Sequence, residues 1–161
     1  AIKAALTGHL VLSTLHTNDA PATVTRLIDM GLEPFNVAAA LNLVSAQRLL
    51  RRICSTCKAE ATYSDEYLEA AKLTPEQRAL TFYKGEGCDE CDGSGYRGRQ
   101  GVYEVMAMTP ALRKMIMAAA GTDELREQAI KEGMLTLRMD GMKKVERGIT
   151  TLEEVVKETA A

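Results

Sequence analysis

The sequence contains no tryptophan and only two phenylalanines, so any core it builds must rest mainly on Leu, Ala, Val and Met. Its eight methionines read as adaptable gap-fillers in such a core. Acidic residues outnumber basic ones only slightly, 22 to 20. The formal net charge of -2 leaves no overall basic field to attract nucleic acid or an acidic membrane, so no nucleic-acid partner is expected. No apolar run approaches the roughly 20 residues that a bilayer crossing needs. Residues Ala1 to Leu6 lack the long apolar stretch of a secretory signal. Internal repeats and low-complexity linkers are missing as well. What remains is the composition of a globular protein, 46% apolar and 26% charged over 161 residues, enough for one domain or two small ones.

Gly8 to His16 reads as a strand that is apolar on nearly both faces, in the manner of a parallel sheet. Such a strand does not stand alone. With no initiator Met and a strand pattern almost at once, the chain is expected to be cut from something longer. Asn18 or Asp19 then offers an N-cap, Pro21 fits a first helical turn, and Gly31 provides a stop. A second helix is expected from Pro34 to about Ile53, which makes this opening the tail of an α/β unit.

Further on, Tyr67 to Lys72 suggests a short helix, and Thr74-Pro75-Glu76-Gln77 has the form of a capping box. A turn-rich stretch with six glycines between Gly85 and Gly101 leads into an alternating strand, Val102 to Met106. Helices are expected from Thr109-Pro110, from Thr122 or Asp123, from Leu135 to Arg147, and after the capping box at Thr151. The reading is an α/β fragment, predominantly helical, with its last third helical.

Cysteine is sparse but ordered. Cys54-Ser55-Thr56-Cys57 and Cys88-Asp89-Glu90-Cys91 are two matched pairs about thirty residues apart. Each Cys-x-x-Cys loop lets two sulfurs converge on one ion, and four thiolates suit tetrahedral zinc. The role is expected to be structural, because four protein ligands leave no position for water or substrate. Gly87, Gly93 and Gly95 allow the tight turns that bring N–H groups to sulfur. Disulfides have no support from any secretory mark. A redox pair would place Cys at a helix N-terminus, whereas Cys54 is expected to follow a helix C-terminus. Gly93-Ser94-Gly95-Tyr96-Arg97-Gly98 has the letters of a dinucleotide fingerprint, but a knuckle precedes it and a strand follows, so that reading is rejected.

The two histidines bracket the expected first strand. His16 stands at its carboxyl end, where ligands bind in open α/β sheets. A regular strand at about 3.3 Å per residue would set His9 roughly 23 Å away, so the two could not share one phosphate. His16 is thus a ligand-sensing candidate against a packing or capping role. Arg48, Arg51 and Arg52 fall at i, i+3 and i+4 and would share one face of the expected second helix. They could be a solvated face near the helix C-terminus or a phosphate or subunit contact.

These residues carry a resemblance. Thr7 to Asn18 resembles the histidine box of the type II/type IV secretion ATPases, hexameric motors of pilus assembly and type II secretion. Ala46 to Cys54 is similar to the segment before their metal-binding insert, and Gly87 to Glu104 to its closing half. The tail from Glu132 to Val155 is most similar to the pilus assembly (extension) members. The resemblance implies the tail of a RecA-like ATPase domain in 1–53, a tetracysteine zinc subdomain in 54–101, and a C-terminal helical bundle in 102–161. It also implies that His16 reaches toward the terminal phosphate of ATP, with His9 supporting packing.

The family's phosphate-binding glycine loop is not in this sequence, nor is a carboxylate run before the first strand. ATP and magnesium would therefore belong to the full-length motor, and this fragment alone should not hydrolyse ATP. Implied partners are further copies in a homo-hexamer and an inner-membrane platform protein, with a cytoplasmic place at the inner membrane. The alternative is a standalone zinc-stabilised interaction module, since Cys88 to Gly95 also resembles a chaperone-type zinc knuckle.

Overall fold

The computed structural model describes residues 1–159, a mixed α/β chain with nine α-helices and four strands among them. In chain order these are α1 (Ile2–Leu6), α2 (Ala20–Asp29), α3 (Pro34–Ala40), β1 (Leu43–Ile53), β2 (Lys58–Ala61), α4 (Asp65–Ala70), α5 (Pro75–Arg78), β3 (Phe82–Gly85), β4 (Tyr96–Ala107), α6 (Pro110–Met117), α7 (Thr122–Lys131), α8 (Leu137–Glu146) and α9 (Leu152–Glu158). β1 pairs with β4 in one two-stranded sheet and β2 with β3 in another. Among the described residues, no helix is long and apolar enough to cross a membrane.

Two compact units form, each from separated stretches of the described residues: 1–47 with 103–136, and 48–102 with 137–159. α6 and α7 belong to the first unit and α8 and α9 to the second.

In the first unit the sequence signals at α2 act as read. The Asp19 carboxylate accepts from Ala22 N–H at 2.8 Å, Pro21 occupies the first turn, and Gly31 follows with φ +86. Asp19 is also held by Arg126 from α7 at 2.8 Å. The buried Glu104 carboxylate accepts from Ala20 N–H at 2.7 Å, placing negative charge where the helix leaves its first amides unpaired. Val24, Val37, Met106, Leu112, Ile116 and Leu125 form the core.

Two expectations fail here. Residues 9–17 form no strand, and Leu10 and Leu12 stand 86% and 88% exposed. A strand exists through its pairing, and among the described residues no strand lies against this one. The second helix ends at Ala40, because Leu41 turns extended at ψ 132 and the chain continues as β1. The alternation of buried Val44, Ala46 and Leu50 with exposed Leu43, Ser45, Gln47 and Leu49 is a period of two, and pairing along β4 overrides the helical spacing.

In the second unit β2 and β3 form an antiparallel hairpin in the register Lys58↔Gly85 to Ala61↔Phe82, with α4 and α5 inserted between its strands. Thr74 and Gln77 close the predicted capping box. α8 and α9 pack tightly at Gly141, where a Cβ would lie 2.8 Å from Val155 Cγ1. Leu50, Val102, Val145, Leu152 and Val155 are fully buried around them.

Candidate metal centre

Both knuckles lie in the second unit, one leaving β1 and one leaving β3. Cys54 follows the strand β1 and not the expected helix C-terminus, so no helix dipole bears on its thiol. What sets its chemistry instead is backbone amide: Thr56 N–H, with Cys57 N–H, lowers the Cys54 thiol pKa against the opposing effect of burial. The second knuckle is a 3-10 turn, Asp89–Cys91, closed by Asp92 in the left-handed region at φ +49. It fixes Cys88 N–H at 3.2 Å from Cys91 Sγ.

The four Sγ atoms all lie within 4.8 Å of one another. Cys54–Cys88 and Cys57–Cys91 are each 3.8 Å apart, and Cys88–Cys91 is 3.7 Å. Sulfurs held about 2.3 Å from a central zinc stand about 3.8 Å apart along the edges of a tetrahedron. A disulfide would need a separation of about 2.05 Å. The spacing therefore fits one tetrahedral ion and no disulfide.

Backbone amides complete the cradle. Gly87 N–H points at Cys57 Sγ and Gly95 N–H at Cys91 Sγ, each at 3.3 Å. Burial opposes ionisation of Cys91, but the Cys88 and Gly95 amides bring its thiol down to about 6. Cys88 is pushed up to about 12 by burial and then by the neighbouring sulfurs, and Cys57 is raised by burial first. Four negative sulfurs this close would repel strongly, so the set can ionise together only around a cation.

Gly85 and Gly95 are the close approach that makes the cradle possible. Gly95 adopts φ +75, and a Cβ there would lie 2.5 Å from Gly85 O. Its carbonyl accepts from Cys54 N–H at 3.0 Å, so one glycine touches both knuckles through backbone alone. Ser94 Oγ caps the turn by donating to Cys91 O at 2.6 Å. This turn and the strand β4 after it account for the glycines that mimic a dinucleotide fingerprint.

His16 lies in the first unit, exposed and outside any helix or strand. His9 is paired locally, its Nδ1 3.0 Å from Thr7 Oγ1. The expected helical face of Arg48, Arg51 and Arg52 does not form, because all three lie on β1, where neighbouring side chains alternate. Arg51 has a partner that its sequence position does not show. Its backbone N–H and guanidinium bond the Glu154 carboxylate at 3.0 and 2.5 Å, and it stacks 4.0 Å over the Tyr96 ring. Glu154 was legible only as the third residue of a helix start.

Residues 1–157 match the family described as type II/IV secretion system protein. The type IV pilus assembly ATPase PilB of Myxococcus xanthus is 53% identical over 161 residues, 99% of this chain and 28% of that protein. The PilB of Pseudomonas aeruginosa is 51% identical over 96% of this chain and 27% of its own length. The type II secretion system ATPase E of Vibrio cholerae is 43% identical over 99% of this chain and 31% of its own length. The chain thus spans less than a third of each of these relatives. With a match over nearly every residue, it belongs to the type II/IV secretion system protein family.

Proposed function

We propose that this chain is the C-terminal portion of a hexameric motor ATPase that couples ATP hydrolysis to pilin polymerisation, with type II secretion as the related task. The identity to pilus assembly ATPases supports the first choice. In this reading 1–53 is the end of a RecA-like core carrying the histidine box, 54–101 a zinc subdomain and 102–161 a helical region. The partners are further copies of the chain and an inner-membrane platform protein, reached from the cytoplasmic side.

The single observation that carries the metal assignment is the set of sulfur separations near 3.8 Å. Cys54, Cys57, Cys88 and Cys91 would hold zinc, which supplies charge neutralisation and crosslinking rather than an open catalytic position. Ligation of this kind is worth roughly 10–16 kcal/mol at neutral pH in zinc-finger peptides, enough to fold a short glycine-rich segment.

His16 is the one residue proposed to act on nucleotide, sensing the terminal phosphate in the whole motor. Its exposure leaves the imidazole open to a ligand. The 161 residues hold no phosphate-binding glycine loop and are proposed to be inactive alone. The test is turnover by the gene's whole product. His16→Ala should lower kcat at least about tenfold with little change in KM for ATP. Unchanged turnover would remove His16 from the reaction, and a whole product without ATPase activity would overturn the motor reading.

A further inference from the structure

The metal ligands and the last helix meet through a continuous set of bonds inside the second unit. Ile53, the residue before Cys54, donates its N–H to Ile149 O at 2.9 Å. Thr150 Oγ1 donates to Arg51 O at 2.8 Å, and Glu154 takes both Arg51 bonds. Tyr96, the residue after Gly95, places its hydroxyl 3.0 Å from Thr151 Oγ1. Thr150, Thr151 and Glu154 are buried, and Gly148 fits against the Lys58–Tyr83 pair of the β2–β3 hairpin. The turn from α8 into α9 therefore sits on Arg51, Ile53 and Tyr96, of which Ile53 adjoins Cys54 and Tyr96 adjoins Gly95.

Thr151 caps α9 by accepting from Glu154 N–H at 3.3 Å. The sequence pattern would have Glu154 reach back and close a capping box. Instead its carboxylate turns to Arg51, so one favourable helix-start interaction is replaced by a bond to the strand that ends at Cys54.

We propose that metal binding by the four cysteines and docking of α9 are thermodynamically coupled, so that the metal acts as a latch on the C-terminal helix. Without the ion, the Cys54 and Gly95 backbones lose the restraint that holds Ile53, Arg51 and Tyr96 in register, and the α8–α9 turn loses its seat. Coupling of this kind is reciprocal: whatever loosens α9 must also weaken the metal. The device would let a partner that grips α9 sense, or alter, the state of the zinc subdomain.

The inference rests on the zinc reading, and the experiment separates the two. Metal analysis of the purified protein comes first: near one equivalent of zinc sustains the site, and its failure to bind overturns both. Hydrogen exchange is then followed with and without a zinc chelator. Amides of 152–158 should exchange at least tenfold faster when zinc is removed, while those of α7 in the first unit stay unchanged.

Conversely, Glu154→Gln should weaken zinc binding about tenfold, measured by competition with a chromophoric chelator, although Glu154 touches no cysteine. Exposure confined to 54–61 and 82–97, with α9 still protected, would overturn the coupling and leave the zinc site standing. Equal loss of protection in α7 would overturn it too, by showing global unfolding, and so would unchanged zinc affinity in the Glu154→Gln protein.

Discussion

Replacing Gly95 with alanine should weaken zinc binding by the four cysteines without touching any of them. Three effects add. At φ +75 an L-residue is disfavoured by about 1 kcal/mol or more. The new Cβ would stand 2.5 Å from Gly85 O and 3.0 Å from its carbonyl carbon, and since both belong to backbone, no rotamer change relieves the overlap. The knuckle must therefore shift, lengthening the Gly95 N–H bond to Cys91 Sγ and the Cys54 N–H bond to Gly95 O, each worth about 1 kcal/mol. The sum is about 3 kcal/mol, or roughly a hundredfold in zinc affinity at about 1.4 kcal/mol per tenfold.

Gly93→Ala is the matched control. It shares the positive φ, at +73, but a Cβ there meets nothing within 4 Å, so only the conformational part remains. About 1 kcal/mol corresponds to roughly a fivefold loss. Zinc affinity of both proteins would be read by competition with a chromophoric chelator. If Gly95→Ala bound zinc within threefold of Gly93→Ala, the backbone contact between Gly85 and Gly95 would not be what builds the site.

Other substitutions test the supporting structure. Burial alone would raise the Glu154 carboxyl, but the Arg51 bonds hold it below the usual carboxylate range. The pair's contribution should be complete above the ordinary glutamate value of about 4.3 and fade as pH falls through the lower folded value. Urea midpoints at pH 7 and pH 3 should therefore differ more for the unaltered protein than for Glu154→Gln; parallel losses would refute this. Glu154→Ala should cost about 2 kcal/mol at pH 7 by denaturant unfolding, since the Glu154 side chain is 4% exposed although Arg51 is 52% exposed and easily resolvated. Thr74→Ala should cost about 1 kcal/mol through loss of the capping box around α5. Leu10→Ser and Leu12→Ser should each stay within about 0.5 kcal/mol in this chain, because both side chains already face solvent; a larger loss would mean that the segment is packed after all.

Local chemistry was legible wherever it is short in range. Asp19, Thr74 and Thr109 cap the helices their positions announce, because a cap needs only a side-chain oxygen two or three residues before an unpaired amide. Gly31 takes the positive φ expected of its helix end. What misled was periodicity without its partner. Gly8 to His16 has strand composition and pairs with no strand among the described residues, while Leu43 to Ile53 reads as helix and pairs with β4 instead. Pairing across about fifty residues of sequence is not written in either segment alone.

The sequence by itself determined which residues could bind metal, because two Cys-x-x-Cys loops each fix a pair of sulfurs locally. It also settled family membership, carried by residues spread along nearly the whole chain. The tertiary structure alone decided that the two pairs meet at tetrahedral spacing, through a glycine-to-glycine backbone contact between β3 and the second knuckle. It alone joined Arg51 to Glu154 across about a hundred residues and so tied the last helix to the strand that ends at Ile53, next to Cys54. The division has a physical cause: caps, turns and ligand pairs depend on neighbours a few bonds away, whereas the partner of a strand or a buried charge is set only when the chain folds back on itself.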